Sequence, residues 1–320
     1  MSQEESHDME HATDDISVSR GSDEQNFSDS NPDNQTHAAP QVIAVASGKG
    51  GVGKTFFSLQ LSKRAAAHGK RVLLMDADLG LANADVMLGV SAPRTVQEAL
   101  QGDCELRDVV MPGGYGFDIL PGGSGLHQLT ALDIPQQQLV LDEMSSLGAD
   151  YDLVVIDTGA GIGDNVLYFA SASEGVLIVL TPDPTSLTDA YALIKVLSRQ
   201  RDTDHFMVVV NQADEVEGQI VFRRLLSVAD RYLDVHLEYM GHLDNAPSVR
   251  HCIQSQTIFA HPDQLPAGLY TALDRILGKP RSNTRSGGLR FFWEHSLNAA
   301  LNNDTQATSR SENVAPGGRH

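Results

Sequence analysis

The chain has 320 residues, 41% of them hydrophobic, and a formal net charge of −19 at pH 7. That is enough apolar material for one large α/β domain with polar extensions, and no apolar run approaches the roughly 18 residues of a spanning helix. A folded body this acidic disfavours nucleic acid as a partner, because such binders concentrate positive charge on the folded body.

Residues 1–40 carry ten acidic groups against the single Arg20 and little apolar side chain. They cannot bury enough surface to offset ordering entropy and are expected to be disordered. Their polar start lacks the apolar core of a secretory signal. From residue 41 to residue 278, β-branched runs alternate with helical patterns. Strands are expected at 42–46, 71–75, 117–120, 153–156, 176–180, 207–210 and 237–240. Helices are expected at 54–68, 136–147, 165–173, 186–201, 217–232 and 266–277. The strands read as near-continuous apolar runs, the mark of parallel strands covered on both faces. Repeated βα units predict a doubly wound, mainly parallel sheet with ligands at the carboxyl ends of its strands.

The first βα junction carries the strongest chemical signal. Gly48-Lys49-Gly50-Gly51-Val52-Gly53-Lys54-Thr55 follows the first strand and opens the first helix, the context of a phosphate-binding loop. Glycines let backbone N–H groups turn around an anion, and the helix N-terminus adds partial positive charge. Lys54 is expected to reach the β- and γ-phosphates of a nucleotide, and Thr55 to hold Mg²⁺. After the second strand come Asp76 and Asp78, spaced so that one can orient a water and the other can join the Mg²⁺ shell. After the strand at 153–156 comes Asp157, placed to hold the metal through water. Asn211 follows the strand at 207–210, where its amide either reads adenine or closes an Asx-turn.

The remaining candidates are quieter. His242, Asp244, His251 and His261 show no zinc-ligand spacing and are expected as solvated loop residues. Cys104 and Cys252 stand alone and suit small buried hydrophobes in a reducing cytoplasm. Residues 279–288 form a Ser/Asn/Arg/Gly linker. At 289–302, Leu289, Phe292, Trp293, Leu297, Ala300 and Leu301 share one side at helical spacing, with Phe291 off that stripe. Residues 303–320 are polar and expected to be loose.

Lys49, a second lysine inside the loop, resembles the deviant Walker A loop of the MinD/ParA class, whose extra lysine reaches across a dimer interface. The run Asp76-Ala77-Asp78-Leu79-Gly80-Leu81-Ala82-Asn83-Ala84-Asp85 resembles the switch I segment of the FlhG/FleN branch of that family. Asp157-Thr158-Gly159-Ala160-Gly161-Ile162 resembles its switch II, and residues 184–197 resemble its most discriminating helix. The resemblance covers about 41–278, and the segment at 289–302 echoes the family's membrane-targeting helix. It implies an ATPase that dimerises with ATP, docks on an anionic membrane surface at the inner face of the cell, and sets the number or placement of polar flagella with an FlhF-like GTPase and flagellar regulators. Lys49, Lys54 and Asp78 would then be catalytic, and Thr55, Asp76 and Asp157 would serve the metal. Turnover is expected to be slow without an activator.

One departure lies in residues 1–40. The family's N-terminal D-Q-A-x-x-L-R element has no counterpart beyond Asp23-Glu24-Gln25, so the resemblance does not extend GTPase activation to this end. Sister classes remain as alternatives: a division-site MinD, a ParA-type partition ATPase, or a nucleotide-dependent adaptor of a transcription regulator. An iron–sulfur relative needs cysteines near the phosphates, and none lies between Cys104 and Cys252. A tyrosine kinase of this loop class needs a C-terminal tyrosine cluster, and none follows Tyr270.

Overall fold

A computed structural model describes residues 39–78, 84–122, 142–143, 146–201, 203–256 and 265–279. Strand β1 (Gln41–Ser47) leads into helix α1 (Lys54–Ala67), then β2 (Val72–Ala77). Short helices α2 (Ala84–Leu88), α3 (Val96–Leu100) and α4 (Leu106–Val109) precede β3 (Met111–Pro112) and β4 (Asp118–Leu120). The second half runs β5 (Leu153–Ala160), α5 (Asp164–Ala172), β6 (Gly175–Leu180), α6 (Pro184–Arg201), β7 (His205–Asn211) and α7 (Glu215–Tyr232). It ends with β8 (His236–Leu243), α8 (Pro247–Gln254) and α9 (Ala267–Leu277).

The strands form one eight-stranded sheet in the order β3-β4-β2-β5-β1-β6-β7-β8. Every described pairing is parallel except β3 with β4. β1 is central, and its alternating side chains feed two cores. Val42, Ala44 and Ala46 face α5, α6 and α7 through Phe169, Leu193, Leu197 and Leu225. Ile43 and Val45 face α1 and α9 through Phe57, Leu59, Leu269 and Leu273. Each fully buried Phe or Leu contributes about 1.5–3 kcal/mol of apolar burial. Because α1 and α5 cover opposite faces, the chain reverses direction around β1, and that switch point is where ligands bind in such sheets.

The expected doubly wound architecture is therefore present, with four differences in detail. β5 continues through Asp157 to Ala160, and β2 continues through Asp76, because pairing with β1 and with each other extends past the apolar runs. The aspartates thus lie inside the ladder, not beyond it. Strand β3 was not expected; it is two residues long and holds Pro112 at the sheet edge, where a missing N–H costs nothing. Helices α2, α3, α4 and α8 were also not expected, being too short for a clear apolar period, although Thr95 and Glu98 form a capping box for α3. Most of the expected helix at 136–147, His261, the linker at 279–288 beyond Lys279, the segment at 289–302 and both polar extensions lie outside the described residues.

Cys252 is buried and Cys104 half-buried, in keeping with small apolar roles. His242 sits half-buried within β8, against the expected solvated loop, whereas His251 is solvent-exposed as expected but lies in α8, not in a loop. Among the described residues, no helix is long and apolar enough to cross a membrane.

Candidate functional site

After Ser47, the loop of residues 48–53 turns into the N-terminus of α1. Ser47 Oγ donates to Lys49 O at 2.8 Å, and Gly161 N donates to Ser47 O at 2.9 Å, tying the loop to the end of β5. Gly53 caps α1 at φ 97°, a left-handed angle, and a Cβ there would lie 2.3 Å from Asn211 Nδ2. Gly48 is required for a different reason. A Cβ on it would lie 2.2 Å from the carbonyl carbon and oxygen of Asp189 in α6. Those are backbone atoms, so the clash cannot be relieved by a rotamer change. Gly48→Ala should cost about 1–3 kcal/mol, read as a lower denaturant midpoint; an unchanged midpoint would mean that α6 yields freely. The stretch at 184–197 thus supplies the surface on which the loop rests.

Lys54 lies at the first turn of α1 and is buried. Burial lowers its pKa, and the charges of Asp157 and Asp78 partly offset this. Asp157 is 1% exposed and pairs in register with Asp76 across β5 and β2. Burial pushes its carboxyl up to about 7, the neighbouring Asp76 adds to the rise, and hydrogen bonds from Thr55 and Ser58 oppose it. The Ser58 Oγ to Asp157 Oδ1 distance is 3.0 Å. Asp76 accepts from Asp78 N at 3.0 Å through Oδ1 and from Ala84 N at 3.1 Å through Oδ2. It therefore anchors the backbone at Asp78 and at Ala84. Asp78 is half-buried, with its Oδ1 3.6 Å from where a Cβ on Gly159 would stand, so the residue after β2 meets the last residues of β5 beside Lys54.

Asn211 joins this constellation from the far side of β1. Its Nδ2 donates to Val52 O at 2.7 Å and its Oδ1 accepts from Gln212 N at 2.8 Å. One amide N–H thus braces the loop and one oxygen lone pair closes a turn, with Gln212 at φ 58°, which leaves the second N–H and lone pair for a ligand. A cleft of about 170 Å³ opens beside it, lined by Gly51, Gly53, Asn211, Gln212, Asn245 and Arg250 among others. A larger groove of about 650 Å³ between α7, β8 and α9 contains none of the motif residues.

Lys49 turns the other way. Its Nζ donates to the Asp183 carboxylate and, at 2.6 Å, to Thr185 Oγ1, both at the start of α6. The two loop lysines are therefore separated: Lys54 faces the buried aspartates and Lys49 lies half-exposed on the outside. Sequence reasoning missed Ser58, which follows Lys54 by one helical turn and was detectable at that spacing. It also missed Asp183 and Thr185, which no local pattern connects to residue 49.

The arrangement suits a phosphate with a divalent cation. Asp76 and Asp157 are neighbouring buried carboxylates with one buried ammonium nearby, so the pocket is short of positive charge. Thr55 already points its hydroxyl at Asp157. Gly50 and Gly51 leave the crest of the loop open, since a Cβ on either meets nothing within 4 Å.

Comparison with known proteins places the chain. A family model described as an AAA domain matches residues 40–208. The chain is 46% identical over 258 residues to the antiactivator FleN of Pseudomonas aeruginosa, covering 79% of this chain and 92% of that protein. It is 36% identical over 255 residues to the flagellum site-determining protein YlxH of Helicobacter pylori, covering 78% of this chain and 84% of that one. Among solved structures, the MinC:MinD cell division protein complex of Aquifex aeolicus aligns with a TM-score of 0.59 and 27% identity, over 77% of this chain and 100% of that one. The deviant lysine, the paired switch aspartates and these likenesses agree: the chain belongs to the FlhG/FleN branch of the MinD/ParA family of P-loop ATPases.

Proposed function

We propose that this protein is an ATPase switch that dimerises with ATP, binds an anionic membrane surface reversibly and controls the number or placement of flagella. The observation that carries the reading is the separation of the two loop lysines. Lys54 is held inside for phosphate, while Lys49 rests on exposed Asp183 and Thr185, where a partner's nucleotide can compete for it.

Within one protomer, the backbone N–H groups of residues 50–55 and Lys54 hold the β- and γ-phosphates of ATP. Thr55, Asp157 and Asp76 serve the Mg²⁺ shell. Bound Mg²⁺ supplies charge neutralisation at the phosphate oxygens. Asp78, whose backbone N–H is held by Asp76, orients the attacking water. Asn211 shapes the cleft for the base by bracing Val52, and its second amide N–H and second oxygen lone pair can meet the adenine edge. None of these groups forms a covalent bond to substrate, so catalysis is positioning and electrostatics, and turnover is slow until an activator completes the site.

Dimerisation requires Lys49 to leave Asp183 and Thr185. Lys49→Ala should abolish ATP-driven dimerisation, measured by light scattering after gel filtration, while leaving nucleotide binding by the monomer intact. Asp183→Ala should instead favour the dimer at lower protein concentration. Dimers of Lys49→Ala at wild-type abundance would reduce the loop to an ordinary phosphate-binding one.

The membrane half of the proposal rests on residues 289–302. One amphipathic segment binds weakly, and two in a dimer bind with avidity. Co-sedimentation with anionic liposomes should be strong with ATP, weak with ADP and lost on deletion of 289–320. Equal pelleting in all three would remove the membrane from the account. The protein would then act at the inner membrane and cell pole only through partners, among them an FlhF-like GTPase.

A second reading has its own support. The relative at 46% identity is called an antiactivator, which favours a nucleotide-dependent adaptor that restrains a flagellar transcription regulator. The two readings part on one measurement. Flagellar number in a strain carrying the 289–320 deletion stays normal for the adaptor and is disturbed for the membrane switch.

A further inference from the structure

The opposite pole of the sheet holds a cluster that the nucleotide chemistry does not use. His205 and His236 are the first residues of β7 and β8 and lie directly across the ladder from each other. Their rings stack with centroids 4.9 Å apart and planes 28° apart. Glu238 follows His236 by two positions, so the strand period returns it to the same face. Its Oε2 lies 3.8 Å from His205 Nε2. One ligand atom from each of the three lies within 4.8 Å of the others. The site is about 20 Å from the phosphate loop, the length of β7 at a strand's rise per residue.

We propose that His205, His236 and Glu238 form a binding site for a zinc-class divalent cation, in competition with the ammonium of Lys279. The donor set selects the cation. Two imidazoles and one carboxylate suit zinc and its borderline neighbours, whereas Mg²⁺ takes oxygen ligands and keeps its water. Three protein ligands leave one position for water. Zinc bonds of about 2.0–2.1 Å put tetrahedral ligand atoms roughly 3.4 Å apart, so the three donors must draw in by about 1.4 Å at most from the 4.8 Å spread. Side-chain rotation supplies this, because His205 and His236 are exposed and Glu238 is half-buried at the surface.

Lys279 is what occupies the carboxylate otherwise. Its Nζ donates to Glu238 Oε1 from just beyond the end of α9. A cation and an ammonium cannot share one carboxylate within a cluster this tight without repulsion. Cation binding therefore displaces Lys279, the residue at which the 279–288 linker begins.

The test is a zinc titration of the full chain, stripped with chelator and held in excess Mg²⁺, with a chromophoric indicator as competitor. The expected result is one zinc per chain, weakened at least about tenfold by His205→Ala or His236→Ala and tightened by Lys279→Ala. Far-UV circular dichroism and ATP-analogue binding should not change, since these residues lie at the far pole. Cobalt(II) should give a difference spectrum in the wild type that is absent in the double histidine variant. Zinc bound with the same stoichiometry and affinity by the wild type and by the His205→Ala/His236→Ala variant would overturn the proposal. So would the absence of measurable binding in both the wild type and Lys279→Ala.

Discussion

Lys54→Ala should lower ATP hydrolysis by about a thousandfold or more, the scale of removing a charge that meets the transferring phosphoryl group. It should do so without unfolding the protein. Burial already disfavours the ammonium, as its lowered pKa shows, so its removal relieves a desolvation cost. Against this, Asp157 and Asp78 lose their nearest positive charge, and the carboxyl of Asp157 should take up its proton still more readily. The two effects oppose each other, so thermal stability of the ligand-free protein should move little. Lys54→Met, which keeps most of the side-chain volume, separates charge from packing. Hydrolysis within about tenfold of wild type in either variant would show that this loop does not hold the reacting phosphates.

The affinity for Mg²⁺ and ATP should rise with pH and then level off near pH 7, and Asp157→Asn should flatten that profile. The cause is the buried carboxyl of Asp157, pushed up to about 7 from 3.8 by burial, with Asp76 beside it. A cation needs the ionised form, so below pH 7 each binding event releases a proton, and affinity rises by at most about tenfold per pH unit. The stability of the ligand-free protein has the opposite sign. Between pH 3.8 and about 7 the folded state holds a proton here that the unfolded state has lost. This group's contribution is therefore full below the unfolded value and lost as pH rises through about 7, to an extent on the order of a few kcal/mol. Asp157→Asn removes that loss while its side chain can still accept from Ser58, so the ligand-free variant should melt higher than wild type at pH 8. Calorimetry at pH 5 and pH 8 reads both terms. A wild-type affinity that is flat from pH 6 to pH 8 would mean that Asp157 does not meet the metal.

The two edges of the sheet were read unevenly. The expected strand at 237–240 became β8, extended to His236–Leu243, and it closes one edge. The other edge, β3, is two residues long and left no pattern to read, because an edge pair needs neither an apolar run nor alternation. The parallel core strands were legible because burial on both faces forces near-continuous apolar side chains. Their carboxyl ends were not: β2 and β5 run on through Asp76 and Asp157, where ladder pairing overrides the polarity of the side chain.

The candidate site divides in the same way. Residues 48–55, Asp76, Asp78 and Asp157 were legible because each sits at a junction whose local chemistry is specific: glycines for the turn, lysine and threonine for the anion and metal, aspartates beside apolar strands. Asn211 was legible only as a pair of alternatives. Its contacts with Val52 and Gln212 show that it braces the loop and closes a turn, and nothing local in the sequence signals the bond to Val52, 159 residues away.

By itself, the sequence determined that this chain has a phosphate-binding loop with two lysines, a doubly wound sheet to carry it and a set of acids to face it. Those follow from periodicity and from residue types that few other structures require. Only the tertiary structure decided that Lys49 rests on Asp183 and Thr185, that Gly48 packs on the backbone of α6, and that His205, His236 and Glu238 share a corner of the sheet. The reason is distance along the chain. Lys49 and Asp183 are 134 residues apart, and His205 meets His236 only because β7 and β8 pair in that register. Contacts of that kind are set by strand order and packing, for which a local pattern carries no signal.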